Sequence, residues 1–415
     1  MLARVAGAYR AAFSGLPRKV WVLALAALVN RSGTMVLPFL SLYLTTRLSF
    51  TVLEAGRLLS LYGLGAIAGS WLGGALSDRV GPHRVQVASL VGTGIGFLVL
   101  SRVHGGVGLP LAVLALAVVQ ECFRPAIFTA VTRGSDPAVR TRALALVRLA
   151  VNLGMTVGPA MGGILAVRRY GLLFVVDAAT CWLAAAVLVV GAGWSGEGRS
   201  DAPAARAATV SPWRDRPYLG FLAVMVVLGA VFFQIMGTMP LYFREHYRLA
   251  EDAFGFLLAI NTVVIVTVEM VLLRAVERRD PLKLAGLGTM LVCTGFALLP
   301  LGRSWAFAAL TVVVWTAGEM LSLPLTNSVA SRRAPAASSG RYMGAYSLAF
   351  AVAIVLAPAI GTAVYEGLGP EALWGGVGAV GVALALACLG LARWFRRTPA
   401  QVPGGVGGTL PAAPE

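Results

Sequence analysis

Four ionisable side chains, Arg31, Glu121, Arg124 and Glu319, stand in stretches of sequence otherwise too apolar to hold them. Each lies near the centre of a run long enough to cross a bilayer, where a charge costs roughly 2.5–3.5 kcal/mol on insertion scales. Each therefore needs a partner, a water-filled space or a task. Glu121 and Arg124 are three residues apart, which puts them on one helical face and predicts that they pair. Glu319 has no arginine in its own run and is the first candidate to take up and release a proton, with Glu121 the second. Low-dielectric surroundings favour the neutral acid and an approaching guanidinium favours the carboxylate, so a conformational change that alternates the two environments moves a proton. The same charges also suit a fixed ion-pair network that offsets its own desolvation. Residue types alone leave both readings open.

Other polar groups share these runs. Asn30, Asn152, Gln234 and Asn261, with Met236, join Arg31 and Arg124 as candidates to line a cavity and contact a bound molecule. Met35, Phe39, Met155, Phe233 and Met239 extend a pliable apolar lining, or else simply pack. Arg148 shares a face with Asn152, where both can meet cargo or lipid headgroups, and Glu269 lies near enough to a run end to snorkel. Enzymatic chemistry finds no support. His83, His104 and His246 all fall in loops, with no nucleophile and base pair and no phosphate-cradling glycine loop. Cys122, Cys181, Cys293 and Cys388 lie inside apolar runs without CxxC spacing, so neither a metal nor any other cofactor is expected.

The elements that must position these groups are helices in lipid. Hydrophobic residues make up 58% of the chain and charged residues only 13%, against about 25% charged in soluble proteins. Apolar runs near 20–45, 55–76, 84–102, 107–132, 143–167, 170–194, 217–243, 253–275, 281–301, 304–330, 341–365 and 371–394 are numbered α1 to α12 in that order. Backbone amides in hydrocarbon must be satisfied within the segment, and no barrel alternation is present, so each run is a helix. A segment over 1–19 mixes Arg4, Arg10, Tyr9 and Phe13 and can lie on the inner leaflet. Residues 20–194 then form one bundle and 217–397 a second. The Ala/Pro/Arg/Asp-rich stretch 195–216 reads as a solvated linker, and 398–415 as a disordered tail.

The two bundles are copies. A shift of 199 residues lays Pro125, Arg142, Pro159 and Gly162 on Pro324, Arg341, Pro358 and Gly361. It also lays Gly56, Leu58 and Leu59 on Gly255, Leu257 and Leu258, and turns Asp78–Arg84 (DRVGPHR) into Glu277–Lys283 (ERRDPLK). A repeat of this length in an apolar chain predicts two equivalent bundles with alternating access to a site between them. Basic residues crowd the loops α2–α3, α4–α5, α6–α7, α8–α9 and α10–α11 and both ends, and are sparse in the other loops. That bias places both termini in the cytoplasm and accounts for the net charge of +16. It is scattered rather than gathered on one basic, aromatic-studded face, which argues against nucleic acid as a partner.

Two motifs carry a family resemblance. GALSDRVGPHR (Gly74 to Arg84) resembles motif A of the major facilitator superfamily through Gly74, Leu76, Asp78, Arg79, Gly81 and Arg84, while Pro82 and His83 depart from it. GMTVGPAMGG (Gly154 to Gly163), with Gly154, Gly158, Pro159 and Gly162, resembles motif C of exporting antiporters. The second copy of motif C, Ala357 to Thr362, keeps only Pro358 and Gly361.

The resemblance implies an all-α membrane protein with twelve transmembrane helices in two six-helix bundles related by a pseudo-two-fold axis, with α1, α4, α7 and α10 around a central cavity. It implies that Gly74, Asp78, Arg79, Gly81 and Arg84 latch one conformation, that the α5 glycines and Pro159 form a bend, and that Asp177 is structural. The leading expectation is proton-coupled efflux of small hydrophobic or amphipathic molecules by a monomer in a bacterial cytoplasmic membrane, with substrate, protons and lipid as its partners. A proton-coupled importer or uniporter stays open, as does a non-transporting receptor or lipid-handling protein on the same fold. Arg31 stands where familiar multidrug members often carry an acid, so cationic, anionic and zwitterionic cargo all remain open.

Overall fold

The computed structural model describes residues 14–133, 137–192, 211–335 and 338–398. The first thirteen residues of the segment expected over 1–19, most of the linker and nearly all of the tail lie outside them. Among the described residues, twelve helices are long and apolar enough to cross a membrane. They form two six-helix bundles related by a pseudo-two-fold axis. The face that holds Ser14 and Thr398 is called the near face below, and the opposite one the far face.

Three of the twelve spans are interrupted, each for a local reason. α1 runs as Arg18–Ser32 and then Val36–Arg47. The gap follows Ser32 at Gly33, a residue that weakens a helix, and a Cβ at Gly33 would overlap the Thr180 side chain on α6. α4 runs as Gly108–Glu121 and Phe123–Arg133. Pro125 has no N–H to give the Glu121 carbonyl, and its ring crowds that carbonyl. α7 runs as Arg216–Phe232, a 3-10 turn Phe233–Ile235, and Thr238–His246. The remaining spans are α2 Val52–Val80, α3 Pro82–Leu100, α5 Pro137–Arg168, α6 Tyr170–Ala192, α8 Glu251–Val276, α9 Pro281–Ala297, α10 Trp305–Arg333, α11 Ser339–Gly367 and α12 Pro370–Arg397. α5 and α11 continue unbroken through Pro159 and Pro358.

Packing between the spans gives the ring that positions the site. α2 packs on α4 in its own half and on α11 in the other. α8 packs on α10 in its own half and on α5 in the other, while α4 meets α5 and α10 meets α11. The circuit α4–α2–α11–α10–α8–α5 therefore closes, with α4 and α10 on opposite sides. The second pieces of α1 and α7 touch each other within it.

Small residues set the two cross-half joints. A Cβ on Gly255 of α8 would lie 2.5 Å from the Pro159 carbonyl oxygen on α5, and one on Gly163 would lie 2.5 Å from the Glu251 carbonyl oxygen. At the symmetric joint, a Cβ on Gly56 of α2 would collide with the Thr362 side chain of α11. Polar bonds reinforce both joints at the far face. Tyr170 Oη donates to Glu251 Oε1 at 2.7 Å, and the Leu53 N–H donates to Glu366 Oε2 at 2.8 Å. Phe39 of α1 meets Phe254 of α8 edge to face at 5.6 Å.

Candidate functional site

The interrupted helices come first, because their breaks carry several of the candidate residues. The second piece of α1 begins with free N–H groups and the positive end of a helix dipole, buried in the protein. Asp177 of α6, 1% exposed, meets that need. Its Oδ1 accepts from Met35 N at 3.1 Å and its Oδ2 from Val36 N at 3.0 Å. Gln234 stands at the corresponding break in the second half, where the repeat places it on Met35. It is 4% exposed. Its Nε2 donates to Ala230 O at 3.1 Å and Ala357 O at 2.7 Å, and its Oε1 accepts from Thr238 Oγ1 at 2.8 Å. A cavity-lining role for Gln234 is thereby corrected: both ends of its amide are engaged in holding the α7 break against α11.

Around mid-depth the ionisable residues fall into two clusters. In the first half, Arg31 and Glu121 both lie within electrostatic reach of the Tyr62 phenol on α2. Asn30 points the other way, with Nδ2 3.5 Å from Cys181 Sγ on α6. In the second half, Asn261 Nδ2 of α8 donates to Glu319 Oε2 at 2.8 Å and to Thr316 Oγ1 at 3.0 Å. Glu269 lies two turns further along α8, within electrostatic reach of Glu319. It also faces Arg148 of α5, Oε1 to Nη2 3.9 Å, across the two halves. The expected snorkelling of Glu269 is therefore replaced by a cross-half ion pair, in which Arg148 is the exposed partner. Asn152 is half-buried one turn along α5 from Arg148.

The predicted pair of Glu121 with Arg124 does not form. The interruption at Cys122 takes the two residues off one continuous helix, and no ion pair joins them. Phe123, Ile127 and Ala130 pack into the core of the first half and Cys122 and Ala126 against α2 and α3, leaving Arg124 and Phe128 exposed. Among the apolar candidates, Met35, Phe39 and Met239 are packed in the core, while Met155, Phe233 and Met236 are half-buried.

The motif residues divide by task. Gly81, at φ +91°, makes the turn between α2 and α3, with Pro82 opening α3. Gly73 is the residue that lets α2 approach α4, since its Cβ would lie 2.5 Å from Cys122 Cα, whereas a Cβ at Gly74 would meet open space. Asp78, Arg79 and Arg84 are exposed at the near face. In α5, Gly154 faces the Arg31 Cβ, Gly158 the Arg31 and Thr34 carbonyls, and Gly162 Met35 and Phe39. These glycines thus press α5 onto the α1 break.

Sequence reasoning missed Tyr62, Thr316 and the Tyr170–Glu251 contact, in which Arg244 also pairs with Glu251. One signal was available for the first. The repeat lays Tyr62 on Asn261, so the polar neighbour of each acid occupies the same place in its own half.

A sequence profile described as the Major Facilitator Superfamily matches residues 21–358. The chain belongs to that superfamily and is a membrane transporter of its type. It is 23% identical over 366 residues to a Na(+), Li(+), K(+)/H(+) antiporter of Planococcus maritimus, covering 80% of this chain and 85% of that one. It is 25% identical over 329 residues to the multidrug resistance protein MdtH of Yersinia pestis, covering 77% and 79%. The crystal structure of peptide transporter POT in complex with sulfate has the same fold, with a TM-score of 0.81 at 18% identity over 94% of this chain and 97% of that one.

Proposed function

We propose that this chain is a proton-coupled secondary transporter that exports small hydrophobic or amphipathic molecules by alternating access. The observation that carries the reading is the setting of Glu319. It lies mid-span on α10, its side-chain bond comes from a neutral amide, and among the described residues no cation comes within 4.0 Å of it. A carboxylate held this way exchanges a proton without first breaking an ion pair. Glu121, in the matching place beside Tyr62, is the second such group.

The halves, 20–194 and 217–397, move as bodies joined by the linker 195–216. The far-face joints at Gly255 and Gly56 are the contacts that separate when the ring opens outward, and the Arg148–Glu269 pair tightens as the near face closes. The motif A residues Gly74, Asp78, Arg79, Gly81 and Arg84 latch that closed near face, and the motif C segment around Pro159 favours export. The protein works as a monomer in a bacterial cytoplasmic membrane with both termini inside.

Reconstitution in vesicles with an imposed pH gradient and a trapped pH-sensitive dye tests the coupling. Candidate cargo added to the parent protein is expected to drive a proton flux that Glu319→Gln abolishes and Glu121→Gln reduces. Undiminished flux in both variants would remove proton coupling from the account. The face on which cargo must be placed reports direction, and cargo binding without flux would indicate a receptor.

A further inference from the structure

Proton exchange at Glu319 and Glu121 leaves a third acid in the ring, Glu269, without a task. It stands on α8 two turns beyond Asn261 toward the near face, a drop of about 12 Å along the helix. A helical side chain leans toward the N-terminus of its own helix. That end of α8 is at the far face, so the Glu269 carboxyl reaches back toward the depth of Glu319 on α10. The two acids lie within electrostatic reach of each other. The Glu269 side chain is 17% exposed, which keeps it within reach of water.

The other charged group facing Glu269 is Arg148 of α5, Nη2 to Oε1 3.9 Å, with its own side chain 67% exposed. Arg148 also comes within electrostatic reach of Tyr346 on α11, whose Oη lies 3.0 Å from Thr326 Oγ1. The division between the halves matters here. Glu319, Asn261 and Glu269 are all carried by the second half and keep their spacing when the halves rock, while Arg148 is carried by the first. The Arg148–Glu269 distance is therefore the one in this group that a change of access alters.

We infer that Glu269 is the near-face exit for the proton held by Glu319, and that Arg148 is the group that shuts this exit. The inference deepens the reading of Glu319 as the coupling acid and rests on it. With the near face closed, Arg148 lies against Glu269, and a guanidinium beside a carboxylate opposes its protonation. The Glu319 proton then has no acceptor on that side. As the near face opens, Arg148 withdraws with the first half. The proton leaves the Glu319 carboxyl, bonds to the Glu269 carboxylate and passes from there to near-face water, so that two carboxylates remain. Their repulsion is relieved when Arg148 returns, so release of the proton favours closing of the near face.

A gain of function that needs no cargo tests it. The full chain is reconstituted in vesicles holding pyranine, a pH gradient is imposed with valinomycin and potassium to clamp the voltage, and the decay of the gradient is followed. Arg148→Gln is expected to let the gradient decay about tenfold faster than the parent, the least change in proton affinity that one adjacent guanidinium makes. Arg148→Lys, which keeps the positive charge, is expected to hold it. Adding Glu269→Gln to Arg148→Gln should return the decay to the parent rate, and so should adding Glu319→Gln. A vesicle made leaky by a misfolded chain would be sealed by neither. If Arg148→Gln is as tight as the parent while its melting temperature is unchanged, the exit is wrong. A leak that Glu319→Gln stops and Glu269→Gln does not also overturns the exit, and leaves Glu319 standing as the coupling acid. A leak that Glu319→Gln fails to stop overturns both readings.

Discussion

At the level of single residues, two of the most consequential side chains are buried against backbone. Asp177 accepts the N–H groups that the α1 break leaves with no water to turn to, whereas Gln234 ties the α7 break to α11 by donating to the Ala357 carbonyl. Asp177→Ala leaves the Met35 and Val36 N–H groups unsatisfied and is expected to cost about 1–3 kcal/mol. A thermal melt of the purified protein should show the loss, and Asp177→Asn, which keeps an acceptor, should recover part of it. An unchanged melting temperature in Asp177→Ala would show that α1 is terminated by other means. The sequence singled out both residues but assigned only Asp177 to structure. Gln234 looked like a ligand because an amide in an apolar run reads the same whether it binds cargo or backbone.

At the level of elements, glycine spacing in α5 and α8 encodes close contact. Gly154, Gly158 and Gly162 lie against α1, and Gly163 with Gly255 joins the two halves. Gly255→Val adds bulk where a Cβ would already be 2.5 Å from the Pro159 carbonyl oxygen, so it is expected to prise the far-face joint open. A reporter cysteine replacing Met239, which is 1% exposed, should then react several-fold faster with a membrane-impermeant maleimide. The four native cysteines are buried and leave that signal clear. Unaltered labelling would mean that the joint yields without opening. The breaks at Cys122 and at 233–237 were not legible beforehand, since hydropathy reports that a run is apolar and not whether its backbone is continuous.

At the level of the whole molecule, the two halves meet through matched joints, and the polar bonds at the far face give the closed arrangement its direction. Tyr170 and Glu251 come from different halves, 81 positions apart, and their hydrogen bond joins the two halves at that face. Tyr170→Phe removes the bond and is expected to shift population toward the far-face-open state, with faster maleimide labelling of the Met239→Cys reporter at little cost in melting temperature. If instead the melting temperature falls and labelling stays constant, the contact stabilises the fold and not one conformation. The helical membrane class, the twelve spans and the 199-residue repeat were all readable in the chain. Tyr170 carries no such mark, because nothing in its own neighbourhood announces a partner on α8.

Composition and periodicity were enough to determine the solvent, the helices and the duplication, since lipid forces every backbone group to be satisfied locally and a repeat registers along the chain itself. Motif A and motif C were enough to point to the superfamily. Which charges are paired was settled only by the tertiary structure. Arg124 was expected to pair with Glu121 and does not, while Arg31 and Glu121 both act on Tyr62 and Arg148 reaches Glu269 from the other half. An ion pair depends on distances of a few ångströms between separate helices, and those distances follow from packing at glycines and breaks that one-dimensional spacing does not contain.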